Sequence, residues 1–166
     1  MQEGVPSFVK FTGKQALSEL LCECLIEACE NEVNQLILSD GDFANWPLSE
    51  GTVIQALNAW SNSHSNRRVM DFVAGTYQVL IEQHDPWVLW RRRWSHRVRC
   101  WETNAEYSAV PPGIFWSDRC VVVINQPEIS SGFVARDRMR IVQVRTQLDE
   151  ILRYAQPAFP ATTLGL

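Results

Sequence analysis

The chain has 166 residues, 46% of them hydrophobic and 20% charged, with a net charge of −4 and a pI near 5.4. That length fits one domain over residues 1–166 that buries roughly two-thirds of its unfolded surface, and the composition excludes a disordered chain. The acidic total opposes bulk attraction to phosphate polymers and leaves only a local basic patch for nucleic acid.

Taken in chain order, Ser7 to Phe11 is short, apolar and alternating, and Gly13 closes it, which predicts a strand. From Lys14 to Val33 the period becomes 3.6, with Leu17, Leu20, Leu21, Cys24 and Ala28 on one face and Glu19, Glu23, Glu27 and Glu30 opposite. Gln35 to Ser39 is a second strand, ended by the turn-forming run Ser39-Asp40-Gly41-Asp42. Ser49 is the expected N-cap of a helix carrying Val53, Ile54, Leu57 and Trp60. Arg68 to Ala74 gives a third strand. A helix from Thr76 to His96 follows, kinked or divided at Pro86. Arg97 to Thr103 is a strand, and 104–112 a loop. The segment GIFWSDRCVVVIN is two apolar runs around Ser117, Asp118 and Arg119, a tight hairpin. Phe133 to Tyr154 closes the pattern as a helix with Ile141, Val144, Leu148 and Ile151 inward. The Pro-punctuated tail 156–166 is expected to pack loosely.

Strands alternating with helices, then a hairpin and a helix, predict an α/β fold. Its sheet is mixed and largely parallel, with helices on both faces. That order resembles one half of the phospholipase D-like fold. In that family an extended segment carries His-x-Lys, and an Asp follows at the hairpin turn. Asp118 stands in the Asp position, but Pro111 and Gly113 stand in the His and Lys positions. The family's phosphodiester transfer needs a histidine nucleophile, a histidine acid and charge-neutralising lysines. The resemblance therefore implies a module without catalytic residues. It also implies pairing with a second copy, because single-half members pair about a two-fold axis.

Other candidates come from the residues themselves. Asp40, Asp42, Asp71 and Asp118 would hold Mg²⁺ and a phosphorylated ligand if they converged at the strand ends. The simpler account has Asp40 and Asp42 shaping their turn. No calcium-loop pattern, Gly-rich phosphate cradle or Gly-x-Ser-x-Gly elbow occurs, so no cofactor or metal is expected. His64 reads as solvated, and His84 as a capping or exposed residue. The five cysteines include no Cys-x-x-Cys pair and read as free, buried thiols in a reduced, cytoplasmic setting. The amino end lacks a charged-then-apolar leader, and no apolar run reaches membrane-spanning length, so no membrane partner is expected.

The most chemical stretch is DPWVLWRRRWSHRVRCW. Arg91, Arg92, Arg93, Arg97 and Arg99 make a candidate surface for a phosphate-bearing ligand or nucleic acid. Trp87, Trp90 and Trp94 recur at helical spacing, however. A helix that buries them and wets Arg92, Arg93 and His96 satisfies the same pattern without any ligand. That reading is preferred, and a protein partner or a second copy ranks ahead of nucleic acid.

Overall fold

The computed structural model describes residues 6–63, 65–104 and 110–158. These form strands β1 (Phe8–Thr12), β2 (Gln35–Asp40), β3 (Val69–Ala74), β4 (Val98–Glu102), β5 (Gly113–Trp116), β6 (Val121–Gln126), β7 (Ser131–Ala135) and β8 (Gln156–Pro157). Helices α1 (Lys14–Glu30), α2 (Gly51–Ser61), α3 (Gln78–Gln83), α4 (Asp85–Arg93) and α5 (Arg138–Arg153) complete the chain. One sheet runs in the order β1-β7-β6-β5-β2-β3-β4-β8. Only β2-β3 and β3-β4 are parallel, and the other neighbours are antiparallel. The sheet is therefore mixed, as expected, but its parallel part is confined to three adjacent strands.

The excess of antiparallel pairing has two sources. The hairpin β5-β6 does not sit at a margin; β5 pairs directly with β2, placing Trp116 opposite Ile37 and Ile114 opposite Ser39. The segment expected to open the last helix is instead a strand, β7, bound to both β6 and β1. Its alternation buries Gly132 and Val134 on one face. A Cβ at Gly132 would lie 1.8 Å from the Val123 carbonyl oxygen, so only glycine allows this approach. The helix proper waits for Asp137, whose carboxylate caps it by accepting from the Arg140 N–H at 3.1 Å.

Each face of the sheet has its own core. Leu36, Leu38, Met70, Phe72, Val98, Phe115 and Val122 pack under α1 to α4. Ile37, Val73, Ile114, Trp116 and Val121 pack under Ile141 and Leu148 of α5. Helices thus cover both faces. Arg68 links two of them, donating to the Trp60 carbonyl at 2.9 Å and the Cys29 carbonyl at 3.3 Å. One guanidinium therefore serves the carboxyl ends of both α2 and α1.

The tryptophan-arginine stretch divides at Pro86, which occupies the first turn of α4, where its missing N–H costs nothing. Trp87 is fully buried and Trp90 is 3% exposed. Both rings meet Phe72 edge-on, at 5.1 and 6.2 Å between centroids. Trp94 is only half-buried and donates its indole N–H to Asn58 at 2.8 Å. Arg92, Arg93 and His96 are exposed. Replacing Trp87 or Trp90 by Ala should cost about 3–5 kcal/mol, and Trp94 clearly less. Arg92→Ala with Arg93→Ala should stay within about 0.5 kcal/mol of the parent in urea denaturation.

Candidate functional site

The carboxyl ends of β2, β3 and β4 lie together, the edge at which open α/β sheets usually bind ligands. The tight turn after β2 dominates it. Asp40 accepts from the Phe43 N–H at 2.8 Å and the Asp42 N–H at 3.3 Å, while Asp42 accepts from the Ala44 N–H at 3.0 Å. Both carboxylates thus hold the backbone, as the turn account predicts. Phe43 takes a left-handed φ of 60° and buries its ring completely against Phe72. Burial pushes the Asp40 carboxyl up from its ordinary range, and the Phe43 and Asp42 N–H groups partly offset that.

Across this turn stand the positions that matter for the resemblance. A Cβ at Gly113 would sit 3.1 Å from Asp40 Oδ1 and 3.1 Å from Ile124 Cβ, so any side chain there would press tightly on both. Pro111 is buried nearby, within 3.8 Å of where a Cβ on Gly75 would point. Asp118 lies elsewhere. Because β5 runs antiparallel to β2, the hairpin turn falls at the opposite end of the sheet. Asp118 is exposed there, and Ser117 rather than Asp118 organises the turn, accepting from the Arg119 and Cys120 N–H groups.

Asp71 is distant again. It faces the α5 side of the sheet, 1% exposed, and takes both Arg99 Nε at 2.7 Å and Nη2 at 2.9 Å. Trp101 Nε1 at 2.9 Å and Gln35 Nε2 at 3.3 Å complete its partners. Asp71 and Arg99 sit opposite each other in register on β3 and β4, and this cross-strand ion pair is structural. The four aspartates therefore do not converge. Among the described residues no group of three or more His, Cys, Asp or Glu side chains could hold a metal ion.

The arginines disperse as well. Arg91 is 5% exposed and donates Nε to Cys100 Sγ at 3.1 Å, beneath α4. The same Cys100 thiol is pushed up to about 11 by burial, against the lowering effect of Arg91. Arg97 is 9% exposed and donates to the Ser63 carbonyl at 3.0 Å. Arg99 is on the other face, held by Asp71. Arg92 and Arg93 are exposed on α4 and the Arg99 side chain is 54% exposed on the other face, so the five arginines do not form one continuous surface.

The structure assembles instead a pair that the sequence does not announce. Ser49 was expected to cap α2; the cap position is Glu50, which makes no side-chain cap bond. The Ser49 hydroxyl lies 2.7 Å from His84 Nδ1 and 3.1 Å from the Gln83 carbonyl. His84, expected to cap a helix or lie exposed, takes the N-cap position of α4 without a side-chain cap bond and is only 7% exposed, with Nε2 3.2 Å from the Phe43 carbonyl. The carbonyl can only accept, so the neutral ring carries its proton on Nε2 and presents a bare Nδ1 to Ser49. Burial lowers the His84 pKa from its ordinary value, against the raising effect of the Phe43 and Ala44 carbonyls. A small cavity of about 220 Å³ beside the pair is bounded by Lys14, Asn45, Trp46 and Glu50. Ser49 and His84 are 35 residues apart, and only the fold brings them together.

No protein-family model and no curated protein matches the chain. The fold is shared with TrmBL2, an archaeal chromatin protein whose structure shows a novel mode of DNA binding, at a TM-score of 0.65 and 13% identity. That likeness covers 93% of this chain and 54% of TrmBL2. Phosphatidylserine synthase of Haemophilus influenzae Rd KW20, of the phospholipase D superfamily, aligns at a TM-score of 0.56 and 13% identity. There the cover is 94% of this chain and 40% of the synthase. The chain thus spans about half the length of one neighbour and two-fifths of the other. At such identities the likeness defines a class of fold, a phospholipase D-like α/β domain. No helix among the described residues is long and apolar enough to cross a membrane.

His84 sets a stability prediction. A buried imidazole with a lowered pKa is neutral in the fold, while the unfolded chain protonates near the ordinary value of about 6.5. Below that pH the unfolded state binds the extra proton. The contribution is therefore complete above the ordinary value and lost as pH falls through the folded one. His84→Gln should flatten this acid-side decline in melts between about pH 5 and 7.

Proposed function

We propose that this chain is a phospholipase D-like module without phosphodiesterase activity that acts by pairing with a second copy or a protein partner. One observation carries the proposal: Pro111 and Gly113 occupy the motif positions, and the Asp40 carboxylate and Ile124 crowd the position of a Cβ on Gly113. Proline supplies no nucleophile and glycine no cation. Nor do other residues supply the missing groups at that place, since both lysines, Lys10 and Lys14, belong to the amino-terminal strand and helix.

Support for pairing comes from the sheet margin and from length. β1 is the outermost strand, and its other edge carries no partner strand among the described residues. Phe8 and Val9 on it are 38% and 41% exposed. An open apolar edge invites a second strand. The likeness covers only 54% of one structural neighbour and 40% of the other, a length with room for a second copy of this fold. A bacterial, cytoplasmic setting fits the reduced cysteines, all five of which are free.

The second reading, nucleic-acid binding, draws on the likeness to a DNA-binding chromatin protein. It is weaker, because the tryptophans at its centre are buried and three of its five arginines serve Cys100, Ser63 and Asp71.

Purified protein should leave bis-p-nitrophenyl phosphate and DNA at background hydrolysis. Restoring Pro111→His and Gly113→Lys should not create activity, because the second histidine is still missing and the new stem presses on Asp40 and Ile124. Light scattering at micromolar concentration should give twice the chain mass, reduced to one chain by Val9→Glu. Turnover that persists through repurification, or a monomer at every concentration with no partner requirement, contradicts the proposal. Salt-sensitive oligonucleotide binding abolished by Arg92→Ala with Arg93→Ala would favour the second reading.

A further inference from the structure

A serine hydroxyl 2.7 Å from a buried imidazole nitrogen is the arrangement that acyl transfer uses, and here it opens onto a cavity, with the one hydroxyl proton shared between His84 Nδ1 and the Gln83 carbonyl at 3.1 Å. Three features go beyond a simple structural tie. Ser49 is exposed, so a reagent can reach its oxygen, whereas His84 is shielded. The ring is held from behind. Asp40 fixes the Phe43 N–H at 2.8 Å, and the Phe43 carbonyl takes His84 Nε2 at 3.2 Å, which leaves Nδ1 aimed at Ser49. Finally, Lys14 on α1 lines the same cavity as the pair.

We infer that Ser49 is a nucleophile and His84 its general base, and that the pair cleaves small carboxylic esters admitted to the cavity beside α2. In the first step Ser49 Oγ bonds to the ester carbonyl carbon, its proton passes to His84 Nδ1, and the carbonyl π pair moves onto oxygen. Collapse of that oxyanion breaks the bond to the alcohol oxygen, which leaves with the proton from Nδ1. Water then attacks the acyl-serine, His84 takes its proton and returns it to Ser49, and the carboxylic acid departs. Ester and water become acid and alcohol, with nothing oxidised or reduced. While His84 is doubly protonated, the Phe43 carbonyl stabilises its Nε2–H, a role that other triads give to a carboxylate. Asp40 is a positioning residue here, acting through Phe43. The cavity of about 220 Å³ limits the acyl group to a few carbons. Lys14 of α1 and Glu50 before α2 line the cavity beside the imidazole, and Asp85 follows His84 in sequence at the start of α4. Lys14 and Glu50 line one cavity with opposite charges, so neither sign dominates.

The test is phenylmethylsulfonyl fluoride labelling of the intact protein, read by mass and peptide mapping, beside hydrolysis of p-nitrophenyl acetate. One adduct is expected, on Ser49. Ser49→Ala, at an exposed position that should leave folding intact, should lose the adduct and lower hydrolysis roughly a hundredfold. In the unaltered protein the labelling rate should rise with pH and level off, with its midpoint below the ordinary histidine value of about 6.5. That readout needs no His84 variant. Absence of an adduct on Ser49, or a labelling rate that climbs without a plateau as for an unassisted hydroxyl, overturns the inference and leaves the pair as a tie between the 44–50 loop and the α3-α4 joint. Acetate hydrolysis unchanged in Ser49→Ala overturns it equally.

Discussion

The contact of Phe72 with its aromatic neighbours underlies the rest of the structure. Phe72 is fully buried at the middle strand of the parallel trio. On one side it receives Trp87 and Trp90 from α4, and on another it receives Phe43 from the turn after β2. Docking α4 sets where His84 stands, because the helix begins one residue later. Docking Phe43 holds a left-handed residue in place, and with it the carbonyl that orients the same histidine. Three segments distant in sequence are thus referred to one ring. Aromatic pairs of this kind add about 0.5–1.5 kcal/mol each beyond area burial.

The architecture also explains why the charged residues that look chemical in sequence do not make a common site. A parallel trio alternates its side chains between two covered faces, so Cys100 and Arg99, adjacent on β4, lie on opposite sides. Arg91 follows Cys100 to one side, and Asp71 follows Arg99 to the other. Burying Asp71 is tolerable because Arg99 binds it bidentately while keeping its own side chain 54% exposed, so only one partner is taken fully out of water. Arg68, Asp71, Arg91 and Arg97 are the buried charges among the described residues, and Arg68 and Arg97 donate to the Trp60 and Ser63 carbonyls.

Much of this was legible beforehand because periodicity is local. The alternation in Ser7 to Phe11, the helical face of Leu17, Leu21 and Cys24, and the break at Pro86 each follow from a short window. The spacing of Trp87, Trp90 and Trp94 implied burial, and the first two are buried while Trp94 is half-buried. Pairings between distant segments were not legible. Nothing in GIFW specifies that it pairs with β2, and helical spacing from Ile141 hid the strand before it until Gly132 showed its close approach to Val123. Arginine is so rarely buried that Arg91 and Arg97 read as surface. Asp71 did carry a signal, a charge in an apolar strand, which demands a partner at matched register; Arg99 is that partner. His84 and Ser49 gave no comparable sign, since each is polar and lies beside a helix end, where exposure is the ordinary outcome.

The central claim is that the tryptophan-arginine stretch builds the core rather than grips a ligand. Acrylamide quenching of tryptophan fluorescence, with and without a single-stranded oligonucleotide, tests it most directly. Trp46, Trp60, Trp87, Trp90 and Trp116 are each at most 6% exposed. Most of the emission should therefore resist quenching and shift to the blue, and the oligonucleotide should change neither property. Emission near that of free indole, fully quenched and then protected by the oligonucleotide, would contradict the account.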